Sequence, residues 1–266
     1  MSTVVNPLTS ALPAEVPLPS APLVRVVAQV RFPQILSIEK RDFVAPFQEA
    51  IREQYPVLRA EQTQGVVVGP QGASSMPPQV IWRFTDESKD WRVSLAPDFV
   101  AIETTDYESR DDFFTRFETI VAALGEHIGP RVVDRIGVRY IDRVTGDSVK
   151  QIRDLVRPEV LGVVATEAAS FARHSLCESL FAVPDPPAQI LARWGLLPEG
   201  GTVDPAAIEP LSEVSWILDL DMFRAESRSF VPSEVVAEAR SFAERIYTFF
   251  RWAVSDEFLR MYGGDV

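Results

Sequence analysis

The chain has 266 residues, 46% of them hydrophobic and 24% charged, a composition that supports one large core or two coupled smaller ones. A formal net charge of −12 excludes a general binder of nucleic acid or of anionic membrane, because both need a net basic footprint. The single cysteine, Cys177, has no internal partner for a disulfide, and no stretch reads as a membrane span or a signal peptide, so the expectation is a cytoplasmic protein that meets no membrane.

Residues 1–22 carry five prolines and one charge. Proline lacks an amide hydrogen and fixes its own φ, so helix and central strand are both excluded, and the segment reads as an extended arm or a loose tail. "PLVRVVAQVRF", residues 22–32, is the first strand. Val44, Phe47, Ile51 and Tyr55 then recur at helical spacing, and Pro56 ends that helix. Four short strands follow, "GVVVG", "QVIWRFT", "WRVSLA" and "FVAIETT", with "GPQGASSMPP" (69–78) read as a flexible hairpin loop. In the next helix Ser109 caps the start, Asp111 and Asp112 complement the positive end, and Phe113, Phe117, Ile120, Leu124 and Ile128 form the buried face up to Gly129 and Pro130.

The order β-α-β4-α is complete by residue 130, and it restarts. "AQVRF" (28–32) aligns with "IGVRY" (136–140), a helix is expected over "DSVKQIRDLVRPEVL", and strands over "SFARHSLCESLFAV", "AQILARWGLL" and "VSWILDLDMF". The last helix, capped by Ser233, places Val235, Ala239, Phe242, Ile246, Phe249 and Ala253 inward. The expected architecture is therefore α+β, with duplicated β-α-β4-α units forming a curved antiparallel sheet with long helices on one face, as in TATA-box-binding-like or helix-grip folds. The expected divisions are an arm (1–22), a first half (23–130) and a second half (131–266).

"RIGVRYIDRV", "DYESRDDFF", "ILDLDMF" and "FFRWAVSDEFLRMYG" together resemble an uncharacterised, sporadically distributed bacterial family, with Arg135–Asp142 as the strongest piece. That family usually carries asparagine where this chain has Asp142. The family has no assigned activity. Its patchy occurrence implies an accessory protein of a defence-type or mobile system.

The chemistry-bearing pattern is a row of arginines. Arg131, Arg135, Arg139 and Arg143 sit four apart in a strand, so they share a face, and Arg25 and Arg31 share a face of the first strand. Asp219 and Asp221 alternate in the same way on "WILDLDMF". An arginine row opposite an aspartate pair is either a structural ion network or a groove for a partner's carboxylates or a small anionic ligand. Arg31, Arg135, Arg139, Arg143, Asp219 and Asp221 are the candidate ligand- or partner-binding residues. The charged face is expected to be open, and Ile136, Val138, Tyr140, Leu218 and Leu220 to face the helices.

The leading expectation is a non-catalytic interaction protein with a protein partner, and a homo-oligomer is compatible with it. The alternatives are a metal-dependent hydrolase or nuclease using Asp219 and Asp221, or a nucleic-acid binder through the arginine row. Two carboxylates are too few for a hard cation, which needs six or more oxygens, so no metal or other cofactor is expected. His127 is expected to serve a helix end, and His174 and Cys177 to point to opposite faces of a strand. Nucleophile elbows, Walker loops and dinucleotide fingerprints are absent.

Overall fold

A computed structural model describes residues 5–63, 66–69, 72–75 and 79–266. The chain is α+β, with a large antiparallel sheet and helices. The sheet joins nine strands in the hydrogen-bonded order β10-β11-β12-β9-β1-β7-β6-β5-β2. Their ranges are β1 Leu23–Arg31, β2 Val57–Thr63, β5 Gln79–Thr85, β6 Trp91–Ala96, β7 Phe99–Thr104, β9 Arg135–Val144, β10 Ser175–Val183, β11 Ala188–Leu197 and β12 Ser215–Arg224. Two short ribbons pair β3 (Val66–Gly69) with β4 (Gly72–Ser75) and β8 (Val132–Val133) with β13 (Arg228–Ser229). Among the described residues no helix is long and apolar enough to cross a membrane.

Contacts divide the chain into two compact units, one of residues 27–137 with 225–239, the other of residues 1–26, 138–224 and 240–266. In the first unit, α1 (Arg41–Ile51) buries Val44, Phe47 and Ile51, and Tyr55 is buried just beyond its end. Phe47 meets Phe84 of β5 edge-on at 5.7 Å, and the Trp82 indole donates to the Ile38 carbonyl at 2.7 Å. At the start of α2 (Arg110–Ala123) the Ser109 hydroxyl accepts from the Asp112 amide, as its position before the helix implies. A π-helical turn over Leu124–Ile128, with His127 in it, carries the chain to Gly129, whose left-handed φ of 67° ends the run.

In the other unit β10, β11 and β12 form an antiparallel series, and α6 (Pro232–Ala253) and α7 (Asp256–Met261) supply the helices; the first residues of α6 belong to the first unit. The expected inward stripe of α6 is buried throughout.

Several expectations change. β2 was missed, because its residues alternate weakly and most are exposed. "GVVVG" pairs into its own ribbon rather than the large sheet. Within 69–78, Gly69 and Gly72–Ser75 are strand, and residues 70, 71 and 76–78 lie outside the described residues. The single helix over 147–161 is three one-turn pieces, α3 (Asp147–Lys150), α4 (Ile152–Leu155) and α5 (Pro158–Leu161), since Pro158 holds Arg157 extended. Ser233 lies inside α6, which begins at Pro232. Three strands of the large sheet, rather than four, separate β9 from α6. Arg131 precedes β8 and is not part of β9.

Candidate functional site

Strand β12 is buried on both faces. Trp216, Leu218, Leu220 and Met222 share one face, and Ile217, Asp219 and Asp221 the other. Asp219 is 1% exposed in the middle of the strand. Such a carboxylate survives only if its lone pairs are taken, and they are. Arg139 of β9 grips it bidentately, Nε to Oδ1 at 2.7 Å and Nη2 to Oδ2 at 2.8 Å. Arg193 of β11 reaches the same Oδ2 at 3.4 Å, and its own Nε donates to Glu178 of β10 at 2.6 Å. Register places Arg193 directly opposite Asp219 and Glu178 directly opposite Arg193. The result is a charge-alternating ladder, Arg139–Asp219–Arg193–Glu178, laid across the unit.

The connection from β11 to β12 supplies acceptors for this face. Asp204 takes Arg139 Nη1 at 2.7 Å. Arg143, 5% exposed, donates to the Ser215 hydroxyl at 3.0 Å, the Glu209 carbonyl at 2.5 Å and the Gly201 carbonyl at 3.4 Å. Burial alone would lower the Arg139 guanidinium, but the hydrogen-bonded carboxylates of Asp219 and Asp204 outweigh it and hold the group above its usual value. Burial pushes the Asp204 carboxyl up, and Arg139 reverses that, leaving it below the carboxylate range. Arg143 is depressed by burial, with Glu213 opposing.

The expected open charged face is therefore corrected at its centre, where Asp219 and Arg143 are buried. The cause is the residue 198–214 connection, whose length and covering role a strand pattern does not reveal. The expected apolar companions agree: Ile136, Val138, Leu218 and Leu220 are buried, and Tyr140 is half-buried. Asp142 shares their face, and burial raises its carboxyl to about 7. Asp221 is half-buried on the face of Asp219, opposite Leu191.

Two arginines of the row belong to the other unit. Arg31 pairs with Asp98 at 2.5 Å, beside the Phe99 ring, and Arg135 reaches Gln29 Oε1 at 3.4 Å. Sequence reasoning missed Glu178, Arg193 and Asp204. The first two were legible in principle, because the short β10–β11 connection fixes the register that sets them opposite. Cys177 is exposed and lies 3.8 Å from the Ser179 hydroxyl. Among the described residues no group of three or more His, Cys, Asp or Glu side chains is placed to hold a metal ion.

No family model matches the chain, and no curated protein matches it.

Proposed function

We propose that the protein is a non-catalytic interaction component, an accessory protein that takes up an extended segment of a partner protein along β10. The observation that carries this reading is the character of that strand. It stands at the end of the strand order, and Leu176, Glu178 and Leu180 share one of its faces. Leu176 and Leu180 are exposed, and Phe171, just upstream, is 85% exposed. A strand edge of this kind templates pairing with another chain, where main-chain hydrogen bonds supply affinity and alternate side chains supply selectivity. The Glu178 carboxylate between two leucines takes Arg193 yet stays 57% exposed, and so favours a basic residue between two apolar ones. The bidentate hold of Arg139 on Asp219 counts against a hydrolytic metal at that aspartate. The pairing of Arg31 and Arg139 with acids counts against a nucleic-acid reader, which needs free guanidiniums.

The test is a ten-residue peptide with a lysine between valines, titrated by fluorescence anisotropy. Binding is expected, with loss on alternate backbone N-methylation and on Glu178→Lys. Affinity unchanged by both Glu178→Lys and Leu180→Asp, in folded variants, would sink the reading.

We further infer an internal duplication of TATA-box-binding-like type. The orders β1-β7-β6-β5-β2 and β9-β12-β11-β10 each set the first strand beside the last and then descend, which supports it. In an experimental structure, superposing 22–129 on 130–255 should match α2 with α6 on the same sheet face; opposite faces would overturn it.

A further inference from the structure

The proline-rich arm carries an inference independent of β10. From Val5 to Pro22 none of its side chains is buried. It is held instead through its main chain by α6 and the end of α7. Arg245 Nη1 donates to the Ser10 carbonyl at 2.7 Å and the Pro7 carbonyl at 3.4 Å. The Tyr247 hydroxyl accepts from the Val16 amide at 2.8 Å and donates to the Ala14 carbonyl at 3.4 Å. Arg251 Nη1 reaches the same Ala14 carbonyl at 3.2 Å, and the Ser20 amide donates to the Tyr262 carbonyl at 3.3 Å.

Two glycines after α7 make room for the arm. Gly263 has φ +86°, and a Cβ there would lie 3.2 Å from Pro19. A Cβ at Gly264 would come within 2.8 Å of both Val16 and Leu18. The face thus takes a chain that turns over residues 6–10 and runs on through 11–18 as neither helix nor strand, and it addresses that chain's backbone, a mode of recognition indifferent to most side chains. Prolines in such a ligand hold it extended beforehand and reduce the entropy lost on docking.

Two guanidiniums of the face, Arg245 and Arg251, meet the arm at its carbonyls. Among the described residues Arg245 and Arg251 bond only to carbonyls and to the Tyr247 hydroxyl, and the Nε of each is buried with no hydrogen-bond partner. Among the described residues neither has a carboxylate within ion-pair distance; the Asp185 carboxylate acts on Arg245 from further off and only partly offsets its burial. The arm laid over them offers one charge, Glu15, in 22 residues. Hydrogen bonds from guanidinium to carboxylate are roughly twice as strong as neutral ones.

We propose that the α6–α7 face is a docking site for an acidic, proline-containing segment of a partner protein that follows the arm's path, and that the chain's own arm, whose one charged side chain is Glu15, fills it as a displaceable placeholder. A ligand of the arm's shape that adds carboxylates near Arg245 and Arg251 outcompetes the arm.

Two labelled peptides test this on the full chain: residues 5–22 as they stand, and the same peptide with Ser10→Asp and Ala14→Asp. Each is titrated against wild type and against a full chain whose arm is weakened by Val16→Gly, Leu18→Gly and Pro19→Gly. The peptide with the two added aspartates is expected to bind at least tenfold more tightly than the unmodified one. Its affinity should rise about tenfold on the weakened chain and fall about tenfold with Arg251→Ala. No binding of either peptide to a weakened chain with a wild-type thermal transition overturns the proposal, as does indifference to Arg251→Ala. If the weakened chain does not fold, hydrogen exchange of wild type decides. A Val16 amide that exchanges far faster than the α6 core supports a displaceable arm, whereas exchange only with global unfolding overturns it.

Discussion

At the scale of single residues, burial separates two aspartates that the sequence presents alike. Asp219 is buried with its oxygens held by arginines, so removing its main partner leaves a buried charge. Arg139→Ala is expected to destabilise by roughly 3–5 kcal/mol, read as a clear fall in melting temperature, rather than to leave stability unchanged as an open charged face implied. Asp142 shows the opposite. Burial raises its folded pKa to about 7, against about 3.9 unfolded, so the folded state favours the protonated acid. Its contribution is fully present below pH 4 and is lost as pH rises through about 7. Asp142→Asn should therefore raise the melting temperature at pH 8, with a gain that shrinks on acidification and vanishes near pH 4. A gain independent of pH would show that the carboxyl is not the cause. Asparagine fits the same buried place without the charge.

At the scale of elements, the pairing of β10 with β11 depends on one position. Gly195 has φ +147°, and a Cβ there would lie 1.9 Å from the Ser175 carbonyl oxygen. Gly195→Ala should cost about 1–3 kcal/mol and loosen β10 first, visible as faster amide exchange in Ser175–Val183 than in β12. The elements most legible in the sequence were those with one buried stripe. The faces of α1, α2 and α6 followed from spacing, and the Ser109 cap from its place before acids. β2 was illegible because an exposed strand lacks the apolar alternation that marks one. The one-turn pieces over 147–161 were illegible because Val149, Ile152 and Val156 keep helical spacing while Pro158 breaks the backbone. The ladder was half legible. Alternation placed Arg139 and Asp219 on their faces, but Asp204 comes from a connection whose path no periodicity records.

At the scale of the whole molecule, the acidic residues outnumber the basic ones by 38 to 26, while Arg31, Arg135, Arg139 and Arg143 meet acids or internal acceptors. A chain of net charge −12 built this way should pass through a polyanion column without retention at physiological salt. Strong retention would return attention to the guanidiniums as a surface for phosphates.

The way the arm is held has a consequence for substitution tolerance. Its carbonyls and two amides, those of Val16 and Ser20, carry the contacts, so most side-chain changes between residues 6 and 15 should be silent in a mutational scan. Such silence would be mistaken for unimportance. Val16→Pro is the exception: it deletes the amide that the Tyr247 hydroxyl accepts from, and should release the arm though it makes the chain stiffer and no less apolar. A site that reads backbone leaves its trace in where proline is forbidden.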